Sequence, residues 1–204
     1  MRLYHQPRSR SARVLWLAEE AGAPVDVVVI AREEKFTDDY RKMHPLNRSP
    51  AYVEDDGPVF ESAALVLHLA DRHPEAGLIA EPGTYQRALQ YQWAFFAMTE
   101  LEAPLVDAAR QMWKDSGDPD AGIIATAIAR FEKGAAVVEA TLAGGDHLVP
   151  GGFSVADVLV GGVLSFCRTA EITAIPPGLL AYVDGLEARP ARQRAYSRTE
   201  SARL

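Results

Sequence analysis

Residues 48–62 read Arg48-Ser49-Pro50-Ala51-Tyr52-Val53-Glu54-Asp55-Asp56-Gly57-Pro58-Val59-Phe60-Glu61-Ser62. A proline opens a short β-prone run over 51–54, and Asp55-Asp56-Gly57 supplies the turn chemistry of a tight hairpin. A second short strand over 58–60 runs into Glu61-Ser62, where a helix begins. The local order is therefore ββα, and the flanking residues extend it in both directions.

Upstream, residues 2–5 predict a short strand. Residues 11–22 predict a helix, because Val14, Leu17, Ala18 and Ala21 fall at i, i+3, i+4 and i+7, and Gly22 and Pro24 end it. Val25-Asp26-Val27-Val28-Val29-Ile30 is β-branched and nearly all apolar, as a buried strand should be. This opening βαβ predicts a parallel strand pair with a right-handed crossover. Residues 31–47 are charged and only loosely periodic, which suits a short helix or a loop. Downstream, Leu65, Val66 and Leu69 mark a helix over 62–72.

Turn formers then crowd residues 73–85, including His73-Pro74-Glu75-Ala76-Gly77 and Glu81-Pro82-Gly83-Thr84, and predict an interdomain linker. Everything beyond reads as helix. Ala88, Tyr91, Phe95, Met98, Glu102 and Leu105 trace one long helix from near Tyr85, and Ile124, Ile128, Phe131, Ala135, Val138 and Leu142 trace another. Val155, Val158, Leu159, Gly162, Val163 and Phe166 form a third stripe behind a Ser154–Asp157 capping box. Gly161-Gly162 within it predicts close helix packing. Further helices fall near 178–188 and 190–198, and the arginines at 189, 192, 194 and 198 suit a solvated last helix.

The chain has 204 residues and a formal charge of −7, spread evenly along its length. No basic stripe appears, so nucleic acid is not an expected partner. The single cysteine, Cys167, permits no internal disulfide and no Cys/His zinc pattern. His5, His68 and His73 lack partners at ligand spacing, so no metal is expected. No apolar run is long enough for a membrane span, and no basic-then-apolar leader is visible. No membrane association and a cytoplasmic location are the expectations.

The chemistry concentrates where the first strand meets the first helix, at Ser9-Arg10-Ser11-Ala12-Arg13-Val14. On one reading Ser9 or Ser11 simply caps the helix. On the other, the same helix terminus favours an anion, and a serine hydroxyl donates to it. If that anion is a thiolate, the site must lower a thiol pKa from about 8.5. A drop of about two units requires roughly 2.7 kcal/mol. One charge-assisted hydrogen bond of about 1.5–3 kcal/mol and a helix terminus of about 0.3–1 kcal/mol can supply it. The protein then needs no cysteine of its own, because the substrate carries the sulfur.

With these pieces the chain resembles the glutathione transferase family, in its serine-type (theta, phi and zeta-like) form and among bacterial-type cytosolic members. The resemblance implies an α/β thioredoxin-like domain over 1–78 followed by an all-α domain over 85–204 that contributes the electrophile pocket. It puts Ser9 in the activating position, with Ser11 as the second candidate and Arg10 as a possible stabiliser by charge. A cysteine falls where this chain has Arg10 in the bacterial beta-type pattern, so reductase or lyase chemistry is not implied. His44-Pro45-Leu46-Asn47-Arg48-Ser49-Pro50 is similar to the family's Asn-Pro-x-Gly-Lys-Val-Pro, with His44, Asn47 and Ser49 as departures. The resemblance implies a cis Pro50 that presents the Ser49 backbone to glutathione, and an Arg48 near the glycyl carboxylate. Glu61 suits the γ-glutamyl ammonium and Ser62 its carboxylate, where the plainer reading is a helix cap. Asp157 resembles the family's buried capping aspartate. Glutathione is the implied co-substrate, a small electrophile the other partner, and a homodimer the implied assembly, in a detoxifying transferase. Glutathione-dependent peroxide reduction or isomerisation at the same site, and a binding or regulatory module without turnover, are the alternatives.

Overall fold

The computed structural model describes residues 2–143 and 145–200, except for the side chains of 199 and 200. They fall into two units: one runs to Ile79 and resumes at Ala188, and the other is Ala80–Glu187. The sequence-based boundaries, 1–78 and 85–204, differ from this division chiefly in where the last helix goes.

In the first unit, β1 (Arg2–His5), α1 (Ser11–Ala21) and β2 (Asp26–Val29) form the expected βαβ unit. A 3-10 turn at Glu33–Phe36 and the short α2 (Asp38–Met43) fill the stretch that periodicity left open. The hairpin of β3 (Ala51–Glu54) and β4 (Gly57–Phe60) leads into α3 (Ser62–Arg72). The sheet order is β2-β1-β3-β4, with β1 parallel to β2 and the other pairs antiparallel. Glu54 pairs with Gly57 across the turn. Gly57 takes φ 134°, which only glycine adopts without strain.

Strand periodicity sends alternate residues of β1 to opposite faces. Tyr4 packs on one face with Ile30, Tyr40, Ala51, Val28 and Met43. Leu3 and His5 turn to the other face and are fully buried. Val14, Leu15, Trp16 and Leu17 of α1 and Leu65, Val66 and Leu69 of α3 are buried, and the two helices pack together. Each such side chain contributes about 1.5–3 kcal/mol by leaving water.

The final helix, α9 (Pro190–Glu200), packs on α1. The reading of the terminal arginines as solvated holds for Arg194 and Arg198, which are exposed, and is corrected for Arg192, which is buried, while Arg189 is half-buried. Arg189 grips Glu20 through Nε at 2.6 Å and Nη2 at 2.9 Å, while Trp16 Nε1 donates to the same carboxylate at 2.9 Å. Glu19 accepts from Arg194 at 2.9 Å and Arg198 at 2.7 Å. The Arg192 guanidinium lies over Tyr196 and Trp16, 4.2 and 5.8 Å from the ring centres.

The second unit is helical. It comprises α4 (Tyr85–Phe96), a π-helical segment (Ala97–Glu102), α5 (Ala103–Met112), α6 (Ala121–Leu142), α7 (Val155–Thr169) and α8 (Leu180–Glu187). The long helix expected from Tyr85 is thus continuous but carries a π insertion, which rotates its buried face. The expected stripe is consequently out of phase at its start. Tyr91 and Phe95 are exposed, whereas Trp93, Ala94 and Ala97 are buried. Arg87 and Gln90 share that buried face, because Arg87 donates to Ala80 O at 2.7 Å and Gln90 accepts from Ala80 N at 2.8 Å. The stripe on α6 holds from Phe131 to Leu142. Helices approach closely at Gly134, where a Cβ would lie 2.9 Å from Glu100 O. Among the described residues no helix is long and apolar enough to cross a membrane.

α7 begins with the expected capping box. Asp157, fully buried, accepts from Ser154 N at 2.9 Å, Leu148 N at 3.1 Å and Tyr182 Oη at 2.9 Å. Burial nevertheless holds its carboxyl above the usual carboxylate range. Asp157→Ala would strand the Ser154 and Leu148 amides and the Tyr182 hydroxyl at once. Urea unfolding is expected to show a loss of about 3 kcal/mol or more, and a loss under about 1 kcal/mol would contradict this account.

Candidate functional site

The end of β1 delivers His5 into a hydrophobic interior, and the chain must then turn sharply into α1. Arg8 takes a left-handed φ of 60°, and Ser9 N donates to Gln6 O at 3.2 Å. The turn places Ser9 half-buried and Ser11 fully buried. Ser9 Oγ lies 2.6 Å from Ser11 Oγ and donates to Ser49 Oγ at 3.2 Å. It also accepts from Ser11 N at 3.3 Å. Ser11 Oγ in turn lies 2.6 Å from His5 Nδ1. Four side chains thus form one hydrogen-bonded chain, His5–Ser11–Ser9–Ser49. Burial alone pushes the His5 imidazole down to about 4, so it is neutral near pH 7.

The loop before β3 supplies the far end of this chain. Ser49 Oγ accepts from Gln6 N at 3.3 Å and donates to Tyr4 O at 3.5 Å. The Ser49–Pro50 bond is cis, as the resemblance implies. Tyr40 Oη donates to Arg48 O at 2.8 Å and so anchors the segment to α2. His44 is buried, with its ring 4.9 Å from that of Phe60, and its Nδ1 accepts from Leu46 N at 3.3 Å. This bond to an amide two residues on is the turn an asparagine side chain would make. Asn47 adopts φ 53°, which asparagine tolerates better than most residues. Burial lowers the His44 pKa, the Glu61 carboxylate opposes that, and the Arg48 guanidinium adds to it. Glu61 and Arg48 therefore act on one imidazole from the same neighbourhood.

Glu61 is exposed and holds φ 73°, ψ 110° at the head of α3. Such a backbone costs on the order of 1–3 kcal/mol for a residue with a Cβ. Its carboxylate makes no capping hydrogen bond, so the plain capping reading is not realised. Ser62, the first residue of α3, is buried. α2, α4, α6 and α7 begin with a side-chain cap from Thr37, Thr84, Asp120 and Ser154 respectively. α1 and α3 begin without one from their N-cap residues, Arg10 and Glu61. Arg10 is half-buried at that position.

The structure brings Ser9, Ser11 and Ser49 into direct contact, and joins Arg48 and Glu61 through their influence on His44. Two features were not anticipated. His5 drew no notice beyond its lack of metal partners, although it falls on the same strand face as Leu3. Ser49 was expected to contribute its backbone, and its hydroxyl also accepts from Ser9. Cys167 behaves as a small buried hydrophobe: burial raises its pKa to about 11, and its thiol donates to Thr173 O at 3.3 Å.

Residues 1–71 match the family model described as glutathione S-transferase, N-terminal domain. Glutathione S-transferase 3 of Schizosaccharomyces pombe is 30% identical over 100 residues, which is 48% of this chain and 41% of that protein. The chain thus spans under half of that relative's length. A glutathione transferase structure from Methylococcus capsulatus is 28% identical, with a TM-score of 0.86 and 98% of each chain covered. A sphingomonad glutathione S-transferase, solved in complex with glutathione, is 25% identical with a TM-score of 0.84, covering 98% of this chain and 99% of that one.

His5 yields a stability prediction with a definite sign. The folded state resists protonation down to about pH 4, whereas the unfolded imidazole titrates near 6.5. The associated stability is complete above pH 6.5 and is lost as pH falls through that window. Denaturation midpoints measured from pH 7 to 4 should fall more steeply for the native protein than for His5→Asn. Parallel slopes would contradict a neutral buried imidazole.

Proposed function

We propose that this chain, which belongs to the glutathione S-transferase family, ionises the thiol of bound glutathione at Ser9 and transfers it to a small hydrophobic electrophile. The observation that carries this reading is the half-buried Ser9 hydroxyl, held by Ser11 and Ser49 at the start of α1, where Arg10 makes no side-chain cap. Its lone pairs can be occupied by the Ser11 amide and hydroxyl, which leaves its hydrogen to point at a ligand. Ser11 is fully buried and engaged with His5, which favours Ser9 as the group that meets sulfur.

In this reading the γ-glutamyl ammonium pairs with Glu61, and its carboxylate takes the N-terminus of α3 and Ser62. The Ser49 backbone holds the peptide and Arg48 faces the glycyl carboxylate. The bound thiol releases its proton to solvent, and Ser9 donates to the thiolate with Arg10 adding positive charge. Sulfur then attacks the electrophilic carbon, a C–S bond forms, and the leaving group departs with its electron pair. Thiolate stabilisation and proximity provide the rate enhancement. The strained Glu61 backbone supports a functional role, because a glycine there would remove the strain and lose the carboxylate. The exposed aromatic side chains of Tyr85, Tyr91 and Phe95 on α4 support assembly with a second copy of the chain.

The decisive test is thiolate absorbance on adding glutathione at pH 7. Ser9→Ala should remove most of it, taking the ionised fraction from about three-quarters to about three per cent for a two-unit shift, while circular dichroism stays unchanged. Retained absorbance would move the role away from Ser9. Glu61→Gly should weaken glutathione binding at least about tenfold, the loss of one charged contact, with a thermal midpoint equal to or above that of the native protein. A lowered midpoint with normal affinity would refute both roles given to Glu61.

A further inference from the structure

We propose that His5 is a positioning residue which fixes the proton order of the Ser11–Ser9 pair, so that the Ser9 hydrogen is always the one offered to the sulfur. This rests on the reading of Ser9 as the thiol-activating group and deepens it.

A chain of hydroxyls can carry its hydrogens in either direction, and only one direction serves a thiolate. If His5 Nδ1 accepts, Ser11 must donate to His5, and the Ser9 hydrogen is then drawn inward to Ser11. If Nδ1 carries the hydrogen, His5 donates to Ser11 at 2.6 Å, and the Ser11 hydrogen goes to Ser9 at 2.6 Å, a shorter contact than its other acceptor, Gln6 O at 3.3 Å. The Ser9 hydrogen is then directed outward. Two observations select the second order. His5 Nε2 is buried and has no hydrogen-bond partner among the described residues. Proteins tolerate a stranded acceptor more readily than a stranded N–H, which favours hydrogen on Nδ1. The outer end agrees: Ser9 donates to Ser49 at 3.2 Å, Ser49 accepts from Gln6 N at 3.3 Å and donates to Tyr4 O at 3.5 Å. Every bond from His5 to Tyr4 then runs outward. Bound thiolate needs only to take the Ser9 hydrogen from Ser49, the longer of the two serine contacts. Burial keeps the imidazole neutral near pH 7, so a single tautomer persists through the working range.

The test is a pH titration of thiolate absorbance with glutathione bound, on the native protein, His5→Phe, His5→Asn and Ser9→Ala. His5→Phe keeps the ring's bulk but removes the donor. It should raise the pKa of the bound thiol by about one unit, roughly a threefold loss of thiolate at pH 7, with glutathione affinity unchanged. The Asn amide can donate from near the Nδ1 position, so His5→Asn should recover most of that loss. A native thiol pKa in His5→Phe, with Ser9→Ala still defective, would overturn the role of His5 and leave Ser9 standing. A native thiol pKa in Ser9→Ala would remove the Ser9 reading, and this proposal with it. Should His5→Phe fail to fold, nitrogen NMR of the imidazole in the unmodified protein decides. Hydrogen on Nδ1 supports the assignment, and hydrogen on Nε2 overturns it.

Discussion

A buried polar chain at the end of β1 is the constraint on which the first unit depends. Polar atoms removed from water must bond to one another, and a misplaced member leaves its neighbours stranded. His5, Ser11, Ser9 and Ser49 meet this demand across three separate segments: β1, the entrance to α1, and the loop before β3. The bonds from Gln6 N and to Tyr4 O tie the same chain to the backbone. The positions of α1 and of the Pro50 segment are therefore linked through hydroxyls, and the half-buried Ser9 is the point at which this interior network meets the surface.

The energetic character of the two helix entrances differs from that of four others. Four helices, α2, α4, α6 and α7, complete their starts with Thr37, Thr84, Asp120 and Ser154. At α1 and α3 the N-cap side chain makes no such bond, and α3 also tolerates a left-handed Glu61. At α3 a protein selected for stability alone would place a capping serine or a glycine. Local cost concentrated at the proposed glutathione subsites fits a trade of stability for recognition. The second unit shows the opposite economy: Asp157 accepts from Ser154, Leu148 and Tyr182, and the Ala80 backbone bonds to both buried side chains, Arg87 and Gln90.

Much of this was legible in the residues. Helix α1, the Asp-Asp-Gly hairpin, α3 and the α7 capping box all rest on short-range patterns, and each occurs within a residue or two of expectation. Ser9, Ser49, Arg48 and Glu61 became site candidates through the resemblance to glutathione transferases. The phase of the helix from Tyr85 was not legible, because the π segment at 97–102 depends on how α6 packs beside it at Gly134. Nor were the partners of Arg189, Arg194 and Arg198, since Glu19 and Glu20 lie some 170 residues earlier in the chain.

Local sequence thus determined which segments would be strands and helices, where the chain would turn, and which hydroxyls stood near a helix start. These follow from side-chain period, backbone freedom and capping chemistry, all properties of neighbours along the chain. Only the tertiary structure decided that Ser11 faces inward to a neutral histidine, that Ser9 stays half-exposed, and that Ser49 bonds to it from 40 residues away. Hydrogen-bond direction and burial are set by what folding brings together in three dimensions, and no local pattern encodes them.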